Sequence, residues 1–184
     1  MPQQRRSQRN QASESRAPQA ATRLPLALIG FMGSGKSVVG ALVAYRAAAP
    51  FYDLDFMIET EAGMAIAEIF SLRGEPAFRA LESKLLPDAL REGSVVALGG
   101  GTAMDDQNWE LIKASSRTVY LAMPFESVWE RIGRTEGRPL VAGRLRNEVQ
   151  VLFDSRRSRY EQAEFMVDAD RSPDDVASDV LALW

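Results

Sequence analysis

Gly30-Phe31-Met32-Gly33-Ser34-Gly35-Lys36-Ser37 fits the pattern G-x-x-x-x-G-K-[ST], and its flanks are those the pattern needs. Leu24-Pro25-Leu26-Ala27-Leu28-Ile29 before it reads as a buried parallel strand, and Val38 to Ala48 after it reads as a helix. A loop of this composition between a strand and a helix is a phosphate-binding loop. Its glycines let successive backbone N–H groups turn inward around an anion, the helix N-terminus adds its dipole, and Lys36 supplies a mobile positive charge for the terminal phosphates. Ser37 can offer its hydroxyl to a magnesium ion. The chain is therefore expected to bind a nucleoside triphosphate.

Outward from the loop, strand-like and helix-like stretches alternate. Short apolar strands are expected at residues 50–54, 94–98, 118–122 and 165–167. Helical patterns cover residues 56–62, 65–72, 76–91, 107–114, 125–132, 147–160 and 173–183, the last opened by Pro173 in its first turn. Five strands alternating with helices imply an α/β fold, a three-layer arrangement in which helices cover both faces of a five-stranded parallel sheet. Residues 133–146 carry too little apolar content for a core and read as a mobile lid. Residues 1–23, rich in Gln, Ser, Arg, Ala and Pro, cannot bury enough surface to fold and read as a disordered tail, leaving one domain over 24–184.

Composition narrows the chemistry. The chain has 184 residues, no cysteine and no histidine, which removes thiolate metal sites, thiol nucleophiles and the commonest general base. Catalysis would rest on carboxylates, Lys, Arg, hydroxyls, backbone N–H groups and a metal held through oxygen, an inventory that suits phosphoryl transfer. The first 23 residues hold five arginines against one glutamate, a charge of +4 that leaves −7 for the rest of a chain whose net charge is −3. By charge the body is not a nucleic-acid binder, and no apolar run is long enough to span a membrane, so a cytoplasmic monomer is expected.

Several constellations remain to be explained. Asp53-Leu54-Asp55 ends the second strand, and strand residues two apart point the same way, so both carboxylates should face the edge where the phosphate loop opens. Two helix-capping aspartates in a solvated turn would look the same. Arg79, with Glu82 three residues on, offers a guanidinium fork for a carboxylate or an ordinary surface pair. Three glycines, Gly99-Gly100-Gly101, exceed what a turn requires and suggest close approach of a ligand to the backbone. Arg131, Arg134, Arg138, Arg144 and Arg146 surround the glycine-punctuated lid segment, where arginine can neutralise charge on a transferring phosphoryl group. Arg156 and Tyr160 share one helix face, with Arg157 and Arg159 pointing elsewhere.

In order along the chain, GFMGSGKS, DLD, GMAIAEIFSLRGEPAFRALE, GGG, GRPL and RRSRY resemble the shikimate kinase family over residues 26–184. The resemblance implies ATP-dependent phosphorylation of the shikimate 3-hydroxyl with one magnesium ion, and a P-loop kinase fold of the nucleoside-monophosphate-kinase type, whose five-stranded parallel sheet agrees with the strand count above. It implies that Gly33, Ser34, Gly35, Lys36, Ser37 and Val38 wrap the ATP phosphates, that Ser37 binds magnesium directly, and that Asp53 binds it through water. It implies that Asp55 holds the attacking hydroxyl and can take its proton, and that Arg79 and Arg156 grip the shikimate carboxylate. Gly100, with Gly101 beside it, would meet the ring hydroxyls, Arg138 would reach the phosphates, and Arg131 and Arg171 would flank the adenine. The chain departs from the family at Ser158, where R-x-P-x-Y has Pro, which leaves Arg157 a rival to Arg156. It departs again at Val38, where Thr is usual, and in a short Arg-rich lid. A kinase for another small hydroxy acid such as gluconate, or a non-catalytic nucleotide-binding regulator, would share the loop but has no need of the full set.

Overall fold

A computed structural model describes residues 23–133 and 145–184. The five strands are β1 (Leu26–Ile29), β2 (Phe51–Asp53), β3 (Val95–Ala97), β4 (Arg117–Ala122) and β5 (Phe165–Asp168), ordered β2-β3-β1-β4-β5. Every pairing is parallel, with Leu26 opposite both Val95 and Arg117. β1 therefore lies at the centre of the sheet, and each of its four residues is at most 1% exposed, as the uninterrupted apolar run LALI requires of a strand covered on both faces. The chain leaves β1 toward β2 on one side and returns for β4 on the other. The loop after β1 thus opens at the carboxyl edge where the strand order reverses, the place such sheets hold ligands.

The helices are α1 (Lys36–Ala47), α2 (Leu54–Ala62), α3 (Ile66–Ala89), α4 (Asp106–Ser115), α5 (Phe125–Gly133), α6 (Arg146–Tyr160) and α7 (Pro173–Ala182). The two helical patterns read at 65–72 and 76–91 join in α3 across a kink at Gly74, whose φ of 78° breaks the helix just before Pro76. A 3₁₀ turn, Thr102–Met104, follows the three glycines and had no sequence signal of its own. Ser172 caps α7 by accepting from the Asp175 amide at 3.2 Å, with Pro173 at the first helical position. Among the described residues no helix is long and apolar enough to cross a membrane.

Core packing reaches into the loop itself. Phe31, 1% exposed, meets Phe153 of α6 edge-on at 5.2 Å, and Phe153 meets Phe125 of α5 at 5.5 Å. A position that the motif leaves free is here an anchor that ties the phosphate loop to α6.

Candidate active site

The loop is shaped by its backbone. Gly33 and Gly35 have φ of 84° and 92°, and Gly35 stands as the N-cap of α1, so the helix begins at Lys36 rather than at Val38. Lys36 Nζ donates to the carbonyls of Gly30 (2.9 Å) and Phe31 (3.0 Å), which hold the ammonium across the mouth of the loop. The Ser34 hydroxyl is buried beneath the loop, and Val38, 55% exposed, lines its outer side.

The two aspartates are not strand neighbours facing one way, as their spacing suggested. Asp53 ends β2 and caps α2: its Oδ1 accepts from the amides of Asp55 (3.0 Å) and Phe56 (3.4 Å). Asp55 already lies in the first helical turn. Both still border the same cavity, because the cap holds α2 against the sheet edge. With one oxygen spent on the cap, Asp53 uses the other, Oδ2, to accept from Ser37 Oγ at 2.5 Å. Asp55 is largely buried, and that burial raises its carboxyl from 3.8 to about 6, with the Asp53 charge adding to the rise and Lys36 opposing it. At neutral pH the group is ionised yet more basic than an ordinary aspartate.

Opposite the loop, α3 presents Arg79. Its Nη1 donates to Glu82 at 2.7 Å, and its Nε and Nη2 donate to Glu75 at 3.2 and 3.0 Å. Glu75 was not singled out in the sequence, although its i, i+4 spacing to Arg79 is legible there. Glu82, 1% exposed, also accepts from Thr102 Oγ1 at 2.5 Å.

From α6, Arg156 reaches the cavity, 7% exposed, and its Nη1 donates to the Gly100 carbonyl at 3.2 Å. The Tyr160 hydroxyl donates to the same carbonyl. Burial pushes that phenol well above its usual value, with Arg156 pulling the other way. Arg157 is exposed and pairs with Glu161 at 2.7 Å, so packing separates the two arginines that the sequence left as rivals.

The glycine run, which lines the cavity, also has a reason inside the protein. A Cβ on Gly101 would lie 2.5 Å from Arg79 Nη1, and one on Gly99 would lie 2.8 Å from Asp55 Oδ1 and 2.9 Å from Glu82 Oε1. The glycines make room first for the protein's own charged side chains. A Cβ on Gly100 would instead meet the backbone of the phosphate loop, with Met32 N at 3.3 Å and Gly30 O at 3.6 Å.

One cavity of about 510 Å³ joins these parts. Lys36, Ser37, Asp53 and Arg131 lie along it with Asp55, Arg79, Gly100, Gly101 and Arg156, and Phe70 and Phe78 form an apolar wall between. Ile66 extends that wall, which the sequence offered only as helical periodicity. Arg131 lies 3.8 Å from Asp170, placing the 170–173 loop beside it. Arg171, by contrast, is turned toward Asp179 of α7 and does not line the cavity, where Pro173 does. Arg138 lies outside the described residues, as do most of the lid and the N-terminal tail through residue 22.

Comparison with known proteins assigns the family. The family model described as shikimate kinase matches residues 32–183. A shikimate kinase of Streptomyces avermitilis is 43% identical over 84% of this chain and 91% of its own, and that of Aquifex aeolicus is 37% identical over 84% and 92%. The solved structure of a shikimate kinase from Acinetobacter baumannii, in complex with shikimate, superposes with a TM-score of 0.83 at 31% identity, covering 88% of this chain and 93% of that one. Family model, sequence relatives and solved structure converge on one assignment, and this chain belongs to the shikimate kinase family.

Proposed function

We propose that this chain is an ATP-dependent kinase that transfers the γ-phosphoryl group of ATP to the 3-hydroxyl of shikimate, giving shikimate 3-phosphate and ADP. The observation that carries the reading is a single cavity lined by the phosphate loop and by two arginines, Arg79 held by Glu82 and Arg156 held by the Gly100 carbonyl. That spacing of charge suits an acceptor with a carboxylate at one end and a hydroxyl to be phosphorylated at the other. A nucleotide-binding regulator would have no use for the second half.

In this reading Arg79 and Arg156 hold the acceptor carboxylate, and Gly100 meets the ring hydroxyls. Asp55 accepts a hydrogen bond from the attacking hydroxyl and takes its proton as the O–P bond forms and the bond from phosphorus to the β–γ bridging oxygen breaks. Because the transition state is loose, alignment and charge neutralisation carry most of the work, which falls to Lys36 and the loop amides, with Arg138 assigned to the phosphates from the lid. Gly33, Ser34, Gly35 and Val38 complete the nucleotide cradle, and Arg131 packs on the base.

Magnesium fits this site. Ser37 Oγ and Asp53 Oδ2 meet at 2.5 Å at the end of the loop, two hard oxygen donors in a chain with no cysteine thiolate or histidine imidazole. Among the described residues no cluster of three acidic or nitrogen ligands surrounds them, and magnesium, which keeps several waters and leans on substrate phosphates, needs none. When bound, the ion neutralises charge on the phosphate oxygens. We assign the catalytic domain to residues 24–184 and the protein to the cytoplasm, acting as a monomer on small molecules without nucleic acid or membrane.

A coupled assay of ADP release, run with shikimate and with gluconate, tests the substrate. Turnover should depend on shikimate, and gluconate-dependent turnover alone would overturn the reading. In the same assay Arg79→Ala should raise the shikimate KM about 10²-fold, as loss of a charge-assisted pair does, with a much smaller change for ATP. Equal shikimate affinity in the variant and the parent would remove Arg79 from the clamp.

A further inference from the structure

We propose that Thr102 is a positioning residue for acceptor recognition: its buried hydroxyl fixes Glu82, and Glu82 fixes the plane in which Arg79 meets the acceptor carboxylate. The inference rests on the acid-phosphorylation reading above and names a residue through which it works.

Thr102 opens the 3₁₀ turn that follows the glycines, and its amide donates to the Gly99 carbonyl at 3.1 Å. It is 0% exposed, so its hydroxyl must find a partner inside the protein. That partner is Glu82 Oε1 at 2.5 Å, while Glu82 Oε2 accepts from Arg79 Nη1 at 2.7 Å. Each oxygen of a buried carboxylate thus has one donor of its own. With both oxygens held, the carboxylate plane is set; with Oε1 released, the group can turn about its last torsion and carry the guanidinium with it.

Other supports cannot take over. Glu75 also binds Arg79, but its side chain is 51% exposed, and a solvated partner on a helix face gives a loose tether. Crowding makes the hydroxyl still more necessary. Around the Cβ position of Gly99 converge Asp55 Oδ1 (2.8 Å), Glu82 Oε1 (2.9 Å) and Thr102 Oγ1 (3.0 Å). Two carboxylate oxygens therefore border one small space, and the Thr102 hydroxyl that borders it with them donates to Glu82. Without it Glu82 Oε1 would be buried beside Asp55 with no proton to accept.

The test uses T102V, which keeps the shape and removes the donor, and T102S, which keeps the donor. Steady-state kinetics are measured for shikimate and ATP, and also for the neutral carboxamide of shikimate, which offers the clamp one carbonyl acceptor but no charge and no second acceptor oxygen. T102V should raise the shikimate KM about tenfold, the loss expected for one hydrogen bond to a charged group. Its ATP KM and kcat should stay within about twofold, its preference for acid over carboxamide should fall by the same factor of about ten, and T102S should restore all three. A folded T102V with an unchanged shikimate KM, or with equal rises for both substrates, would overturn the proposal while leaving the kinase reading intact. A parent enzyme with no shikimate-dependent turnover would overturn both. Should T102V fail to give a cooperative thermal transition, T102A carries the same expectations and the same outcomes.

Discussion

Eight consecutive residues between β1 and α1 carry the phosphate-loop motif, whereas the proposed acid clamp draws Arg79 from α3, Gly100 from the loop after β3 and Arg156 from α6. The loop does its binding with main chain, whose geometry follows from glycines at φ of 84° and 92° and a helix that starts at once. The proposed clamp would bind with side chains that are themselves held by others: Glu75 and Glu82 for Arg79, and for Arg156 the Gly100 carbonyl, which also accepts from Tyr160. Local construction makes a general device that many kinases can share. Distributed construction makes a specific one, because every part of it depends on a neighbour far away in sequence.

If that contrast is right, damage to the loop should affect the chemical step and damage to the clamp should affect the acceptor. Lys36→Ala is the severest case. The ammonium is the loop's only side-chain cation, and removing a group aimed at developing charge costs about 10³-fold in kcat. The shikimate KM should move little, and a cooperative thermal transition should remain, although hydrogen bonds from a charged donor such as those to the Gly30 and Phe31 carbonyls are worth roughly 1.5–3 kcal/mol each. A comparable rise in the shikimate KM would erase the division between the two halves.

Arg156→Ala and Arg157→Ala sharpen the contrast on the clamp side. Arg156 is buried against the cavity and should raise the shikimate KM about 10²-fold when lost. Arg157 is solvated beside Glu161, and its loss should leave kinetics within about twofold. The opposite result in acceptor titrations would mean that α6 is rotated on its axis when acceptor binds.

The same division explains what could be read without a structure. Gly30–Ser37 announces itself because its eight positions are contiguous and its flanking strand and helix have distinct periods. Five strands and their helices were likewise legible, although periodicity alone does not order them, and the central place of β1 emerges only from pairing. Asp53 and Asp55 were placed correctly for a wrong reason: alternation in a strand was invoked, but a capped helix start delivers both carboxylates. Arg171 was expected at the nucleotide and instead pairs with Asp179, a choice between two exposed directions that spacing cannot make. Arg156 and Arg157 differ by 100° around a helix; spacing puts Arg156 with Tyr160, and the burial of Phe153 and Tyr160 shows that this is the face turned inward.

Glycine gives the finest version of the comparison. In the loop, Gly35 is needed for its backbone, since φ of 92° strains any residue with a Cβ. Gly101 has φ of −106°, which any residue adopts, so its requirement is one of space alone. A methyl there would sit 2.5 to 2.7 Å from three atoms of the Arg79 guanidinium. That guanidinium is the far end of a flexible side chain and can swing away, so Gly101→Ala should lower the melting temperature only slightly. What it should lose is aim: the fork leaves Glu82, and the shikimate KM rises about tenfold while the ATP KM holds. A large loss of stability with an unchanged acceptor KM would mean that Gly101 is a folding requirement, and that the clamp tolerates more movement than its paired carboxylates suggest.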